Sequence, residues 1–282
     1  MKTRLLQLTT LLILCLGSWM NVAAQNATDT QQKLSATVSE ITRGCKTKAE
    51  MATTINQWFA RNIAYDDTLA ANVLIESMAS AFKCILEFYV YGGEVHMEQC
   101  LMELQKKSDS FNQEQIASGL KVFTERKGIC SSMAHLLKLM YNEAGIECEI
   151  IVGMAKIDMS NTELNALGIN TIFMSHAWNA ARIDGKIMLI DPAWGIDEEE
   201  YFQVAPENLI FTHLPNRTDQ QYMEKTISIE QFVKLPSTTT EDWELITLDE
   251  MLSIIDKNEM TEEEAIWEEV IKRVFNPYLY QY

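Results

Sequence analysis

The dipeptide Asp184-Gly185, set between the runs 176–183 and 186–191, constrains this chain more than any other feature. Asp-Gly between two such runs is a favoured two-residue hairpin turn, because both positions tolerate the positive φ that the turn demands. The register then follows: Ile183 opposite Lys186, Ala181 opposite Met188, and Trp178 opposite Asp191. Side chains alternate along a strand, so His176, Trp178 and Asp191 share one face. His176 becomes a diagonal neighbour of Asp191, with backbones about 7–8 Å apart and side chains able to meet. Local sequence alone therefore sets an imidazole beside a carboxylate.

A thiol stands upstream. Gly128 precedes a helix starting at or near Cys130, in which Met133, Leu136, Leu137, Met140 and Ala144 recur at intervals of three and four and form one apolar face. Gly145 is placed to stop that helix as a C-terminal cap. The run 148–155, rich in Ile and Val, reads as a strand. A thiol attacks as thiolate, and three features favour that form at Cys130. These are the helix N-terminus, an imidazolium partner in His176, and Asp191 to fix the imidazole's tautomer.

The expected roles are Cys130 as nucleophile, His176 as base and Asp191 as the group that orients the base. The Cys130 backbone N–H would supply one oxyanion donor; Trp58, Tyr65 and Gln57 are polar-capable candidates for a second. Each residue also has a structural reading. Cys130 could be buried or bridged, His176 could be a core histidine satisfied by Asp191, and Asp191 could cap the turn at Pro192.

The first 24 residues have the layout of a cleaved secretory leader: Lys2 and Arg4, an apolar run over 11–16, then Val22-Ala23-Ala24 before Gln25. An uncleaved membrane anchor is the other reading. With the leader removed, 21 basic residues face 40 acidic ones, a net charge of −19. That balance repels nucleic acid and anionic membrane surfaces. A secreted, periplasmic or cell-surface location is expected, with no membrane insertion after cleavage. Five cysteines remain: Cys45, Cys84, Cys100, Cys130 and Cys148. Either four form two bridges beside one working thiol, or most are buried free thiols. No C-x-x-C pair occurs and the four histidines lack ligand spacing, so no metal or cofactor is expected.

Elsewhere the pattern reads as helical over 33–65, 68–91, 94–107 and 112–124, with Gly92-Gly93 as a break. The stretch 195–215 reads as loop and short elements. The acidic end, 242–282, has helical periodicity, with Thr261 as a possible N-cap before the charge run 262–264. His135, five positions beyond the thiol on its helix, is expected to be structural; His213 is expected to support packing or a turn, with a place lining the cleft as the other reading. Trp178 and Trp194 are expected as walls of the site or core. Asn26-Ala27-Thr28 and Asn216-Arg217-Thr218 match the glycosylation acceptor pattern.

Several of these residues carry a family resemblance. Arg126-Lys127-Gly128-Ile129-Cys130-Ser131-Ser132-Met133-Ala134, then Ala144-Gly145-Ile146, Val152-Gly153, Ser175-His176-Ala177-Trp178-Asn179 and Ile190-Asp191-Pro192-Ala193-Trp194 resemble the core of the transglutaminase-like superfamily. Trp58 and Ile63-Ala64-Tyr65-Asp66 resemble the entry to the same domain. Tyr201-Phe202, Pro206-Glu207, His213-Leu214-Pro215, Gln231-Phe232 and Leu235-Pro236 resemble its kyphoscoliosis-peptidase branch. The resemblance spans most of 50–236. It implies an α+β, papain-like transglutaminase core, with the catalytic Cys at a helix N-terminus packed on an antiparallel sheet carrying His and Asp. It carries catalytic roles onto Cys130, His176 and Asp191 only.

The implied organisation is a leader over 1–24, a transglutaminase-like domain over 25–236 with a helical insertion at about 68–121, and an acidic helical segment over 237–282. The implied function is a secreted thiol-dependent acyl-transfer enzyme, a cysteine peptidase acting on peptide or protein amides. A glutamine transglutaminase or deamidase is the enzymatic alternative, and a non-catalytic protein-binding scaffold the other. The acidic C-terminal segment could meet a protein partner under any of them.

Overall fold

The computed structural model describes residues 28–73, 118–158, 171–196, 199–236, 247–261 and 264. The expected leader, most of the 68–121 insertion, Gly92-Gly93, Cys84, Cys100 and most of 237–282 lie outside the described residues.

The stretch whose pattern reads as helical over 33–65 is two helices and a short strand. Residues 28–41 form α1 and Lys48–Asn62 form α2. Gly44, at φ 93°, takes the left-handed conformation that ends the first. Thr47 caps the second by accepting the Glu50 N–H at 3.1 Å. Ile63 is extended and leads into β1, Ala64–Tyr65. Residues 67–73 (α3) and 118–125 (α4) are helical. Strand β1 pairs in parallel with β2, Lys127–Gly128, which sets Tyr65 opposite Gly128. An Asp66–Lys127 ion pair at 2.8 Å braces this short ladder.

The cysteine helix α5 runs Cys130–Glu143 and stops before Gly145, which has φ 72°. Its start is tight. The Ser132 hydroxyl accepts the Ile129 N–H and donates to the Ile129 carbonyl, both at 3.0 Å. A Cβ on Gly128 would come within 2.7 Å of Ser132 Oγ and 2.6 Å of Val122, so this position needs glycine for space.

Among the described residues, the main sheet has four antiparallel strands in the order β5-β4-β3-β6. They are β3 (Cys148–Asp158), β4 (Thr171–Ile183), β5 (Lys186–Ile190) and β6 (His213–Pro215). Asp184 and Gly185 both have positive φ, and the ladder pairs Ile183 with Lys186 and Ala181 with Met188, as the turn predicted. Strand β4 begins five residues earlier than expected, at Thr171, because it pairs along β3 as far as Asp158.

Among the described residues, three apolar clusters bind the layers. The first joins α1, α2 and α5 to the sheet, with Phe59, Met133, Leu137 and Ile190 at its centre. Asn179 ties α5 to the sheet by donating to the Ala134 carbonyl at 3.0 Å. The second packs Ile151, Trp178 and Leu189 against Val204 and Leu209, the latter on the short helix α6 (Pro206–Leu209). The third joins Met154 and Phe173 to α7 (Ile229–Lys234) and α8 (Leu248–Ile255). Buried Lys156 clamps the end of α7, its ammonium donating to Phe232 O at 2.6 Å and Leu235 O at 2.5 Å. Further on, Thr261 accepts the Glu264 N–H at 3.2 Å, the N-cap its sequence position predicted. Helix and antiparallel sheet thus combine as an α+β fold.

Candidate active site

Cys130 is the first residue of α5 and only partly buried, so the thiol sits where unpaired helix N–H groups favour negative charge and reagents can reach it. His176 comes from the middle of β4, opposite Gly153, and Asp191 follows the last residue of β5. His176 Nε2 lies 2.7 Å from Asp191 Oδ2, both side chains buried. The Cys130 sulfur lies close enough to the same imidazole to help raise its pKa. With Nε2 on the carboxylate, Nδ1 is the ring atom left for sulfur. The three residues singled out in the sequence are brought together.

Burial opposes a charged His176, but the Asp191 carboxylate and the Cys130 sulfur outweigh it and push its pKa up to about 10. Burial likewise opposes ionisation of Asp191. His176 and then His213 overcome that and hold the carboxyl well below the usual carboxylate range. The other oxygen, Oδ1, accepts the Ala193 N–H at 2.8 Å and the Trp194 N–H at 3.3 Å. Asp191 therefore does cap the turn at Pro192, and orients His176 as well.

One residue reaches further into the site than the packing role its sequence position suggests. His213, expected to support packing or a turn, donates into the site: its Nε2 is 3.0 Å from Asp191 Oδ2, the oxygen that already meets His176. The reason lies in long-range pairing. Strand β6 lies beside β3 with His213 opposite Ala155, a contact that no local pattern announces. The available signal was the polar pair Thr212-His213 inside an otherwise apolar run, since polar groups that are buried need partners.

Aromatic rings wall the site as expected. Trp194 lies 5.6 Å from the His176 ring and 4.6 Å from His213, and Trp178 lies 6.2 and 5.0 Å from the same two rings. His135 contacts the Ser131 carbonyl of its own helix at 2.8 Å, in keeping with a structural role.

Of the three upstream oxyanion candidates, one reaches the thiol's neighbourhood. Gln57 is exposed, and Trp58 stacks on Phe123 at 6.0 Å beneath Arg126. Tyr65 is different. Burial, then charge on Cys130 and Asp191, raises the pKa of its hydroxyl, while the Cys130 backbone N–H works the other way. The phenol is kept protonated beside the backbone N–H expected to serve as an oxyanion donor.

Cys45, Cys130 and Cys148 are free thiols. The two-bridge reading needs Cys45 and Cys148, and is not realised. Cys148 is buried, and burial pushes its thiol up to about 12, so it is inert as a nucleophile.

His176, Asp191 and His213 offer ligand atoms within 4.8 Å of one another and could hold a metal ion. Their 2.7 and 3.0 Å separations are those of hydrogen bonds to one carboxylate oxygen, which satisfy all three groups with protons alone.

Residues 94–192, which include Cys130, His176 and Asp191, match the family model of the transglutaminase-like superfamily. That stretch is similar to a transglutaminase-like core. Among curated proteins it is similar to cytokinesis protein 3 of Schizosaccharomyces pombe, 24% identical over 180 residues, which cover 60% of this chain and 19% of that protein. It is also similar to kyphoscoliosis peptidase of Mus musculus and of Homo sapiens, 27% identical over 124 residues in each case, covering 39% of this chain and 18% of theirs. The chain thus spans less than a fifth of the length of these relatives. A solved structure of a candidate cysteine protease from Cytophaga hutchinsonii aligns with a TM-score of 0.32 at 15% identity, covering 58% of this chain and 37% of that one. No helix among the described residues is long and apolar enough to cross a membrane.

Proposed function

We propose that this transglutaminase-like core is a thiol-dependent acyl-transfer enzyme that hydrolyses peptide or protein amides through a Cys130–His176–Asp191 triad. One observation carries the reading: a buried imidazole with Asp191 at 2.7 Å on Nε2, its pKa raised by the Asp191 carboxylate and the Cys130 sulfur together. A scaffold would have no physical need for all three groups in contact.

In the proposed reaction Cys130 Sγ adds to the substrate carbonyl carbon as thiolate. The oxyanion that forms is met by the Cys130 N–H and the Tyr65 hydroxyl. The C–N bond breaks as His176 Nδ1 gives its proton to the departing amine, leaving a thioester on Cys130. His176, now neutral, takes a proton from water as the water oxygen attacks the thioester; the C–S bond breaks and the thiolate and imidazolium return. Asp191 remains ionised throughout and supports the imidazolium. The leader reading places this activity outside the cytoplasm, as a secreted, periplasmic or surface protein. The acidic C-terminal segment is a candidate contact for a protein partner.

The test is incubation with a casein or synthetic peptide substrate, with and without a labelled primary amine. New peptide termini that vanish in Cys130→Ala support hydrolysis. Amine incorporation outpacing cleavage assigns transamidation instead, and neither product across a broad peptide panel overturns the enzymatic reading.

A further inference from the structure

We propose that His213 is a positioning residue for this triad: a neutral imidazole that donates Nε2–H to Asp191 Oδ2 and so fixes the carboxylate that orients His176. The proposal rests on the functional reading above, since it assigns a role within that set.

Asp191 sits where an error of orientation would matter. Its Oδ1 is fixed by the Ala193 and Trp194 N–H groups at 2.8 and 3.3 Å. Its Oδ2 is held by two imidazoles, His176 at 2.7 Å and His213 at 3.0 Å, whose ring centroids are 5.3 Å apart and tilted by 54°. Removing His213 would leave Oδ2 held from one side only, in a side chain with no exposed surface.

The hydrogen bonds also choose a tautomer. His213 Nδ1 lies 2.8 Å from Thr212 Oγ1, and the same hydroxyl lies 3.3 Å from the Leu209 carbonyl. A carboxylate oxygen can only accept, so the imidazole's proton belongs on Nε2, facing Asp191, and in the neutral ring Nδ1 then accepts from the Thr212 hydroxyl. The groups around this ring are Asp191, His176, Tyr201 at 6.2 Å, and the uncharged rings of Trp178 and Trp194. Burial first, and the positive charge of His176 besides, keep His213 below its ordinary pKa despite Asp191. The chain thus supplies a donor to the carboxylate without a second cation competing with His176 for it.

The backbone is built to deliver the ring. Strand β6 closes on β3 at Gly153, where a Cβ would stand 2.1 Å from the Leu214 carbonyl oxygen and 2.6 Å from the Trp178 ring. Strand β6 can approach so closely only because this position lacks a side chain. A purely apolar filler in the same pocket would satisfy Trp178 and Trp194 as well as histidine does; the Asp191 and Thr212 contacts are what histidine adds.

The experiment compares Cys130 alkylation by iodoacetamide across pH in wild type, His213→Phe and His213→Gln, each checked by thermal melting. Phenylalanine keeps the ring and removes both polar atoms; glutamine can return an N–H near the Nε2 position. The expected result is a fall of about tenfold or more below pH 7 in His213→Phe, with the profile moving toward that of a free thiol, and a loss within about threefold in His213→Gln. Equal profiles for wild type and His213→Phe would overturn the proposal, as would a folded His213→Gln as impaired as phenylalanine. Should phenylalanine prevent folding, the 1H–15N histidine spectrum of the wild type decides at pH 7. Protonated Nε2 with bare Nδ1 on His213 supports the role, and any other state overturns it. A wild-type thiol with the reactivity of a free one would overturn the triad reading, while the His213 tautomer would still be read from the same spectrum.

Discussion

His213 Nε2 lies 3.0 Å from Asp191 Oδ2, the same oxygen that His176 meets at 2.7 Å. Two histidines from different strands, β4 and β6, converge on one carboxylate that belongs to neither. The hairpin supplies the first contact through its own turn. The second depends on the edge strand β6, and therefore on everything that lets β6 dock.

Gly153 is the narrowest point of that docking, and its substitution has a defined consequence. In Gly153→Ala the new methyl would meet the Leu214 carbonyl oxygen and the Pro215 Cα, backbone atoms that cannot rotate away. We expect a loss of at least about 2 kcal/mol in unfolding free energy from the forced overpacking. Urea denaturation measures it, and an unchanged midpoint would contradict the close approach of β6 to β3.

Tyr65→Phe separates oxyanion stabilisation from thiol activation. The phenol is placed by the β1–β2 pairing of Tyr65 with Gly128 and lies outside the His176–Asp191 contact. Turnover of an amide substrate is expected to fall about 10²-fold, mainly in kcat. Alkylation of Cys130 should stay within about threefold of wild type, because alkylation forms no tetrahedral oxyanion. Parallel losses in both assays would place Tyr65 in the support of the thiol instead.

Two buried bases give opposite pH dependences over one window. His176 has its folded pKa raised to about 10, so its stabilising contribution is complete below the unfolded value of about 6.5 and is lost as pH rises toward 10. Lys156 has its folded pKa lowered by burial to about 7, so the unfolded chain takes up its proton first as pH falls from about 10.4, and stability declines toward pH 7. Between pH 7 and 9 the two oppose each other. Urea midpoints should rise with pH in His176→Gln, where the lysine acts alone, and fall with pH in Lys156→Met. The same slope in both variants would contradict this opposition.

What could be read before the fold was known divides by the range of the interactions. The hairpin and its register follow from Asp184-Gly185, because positive φ at two adjacent positions is a local demand. Helix α5 follows from its apolar spacing and from Gly145. The hairpin set His176 beside Asp191, whereas joining Cys130 to them rested on the chemistry of the three groups and on the family resemblance. The break between α1 and α2 was missed because the apolar period runs through Gly44, whose left-handed backbone overrides it. The His213 contact with Asp191 was missed for a different reason: the ladder partner of His213, Ala155, is on a strand far earlier in the chain, and the pairing obeys no local period. Lys156 reads as a polar residue at the end of an apolar strand, and only the docking of α7 explains its burial.

The central claim is that His176 activates Cys130, and the rate of Cys130 alkylation by iodoacetamide from pH 4 to 10 tests it most directly, in wild type and His176→Ala with Cys130→Ala as the blank. The account predicts rapid wild-type reaction well below pH 8 and its disappearance in His176→Ala, which should follow the profile of an ordinary thiol. A wild-type profile that already follows the ordinary thiol, unchanged by His176→Ala, would contradict it.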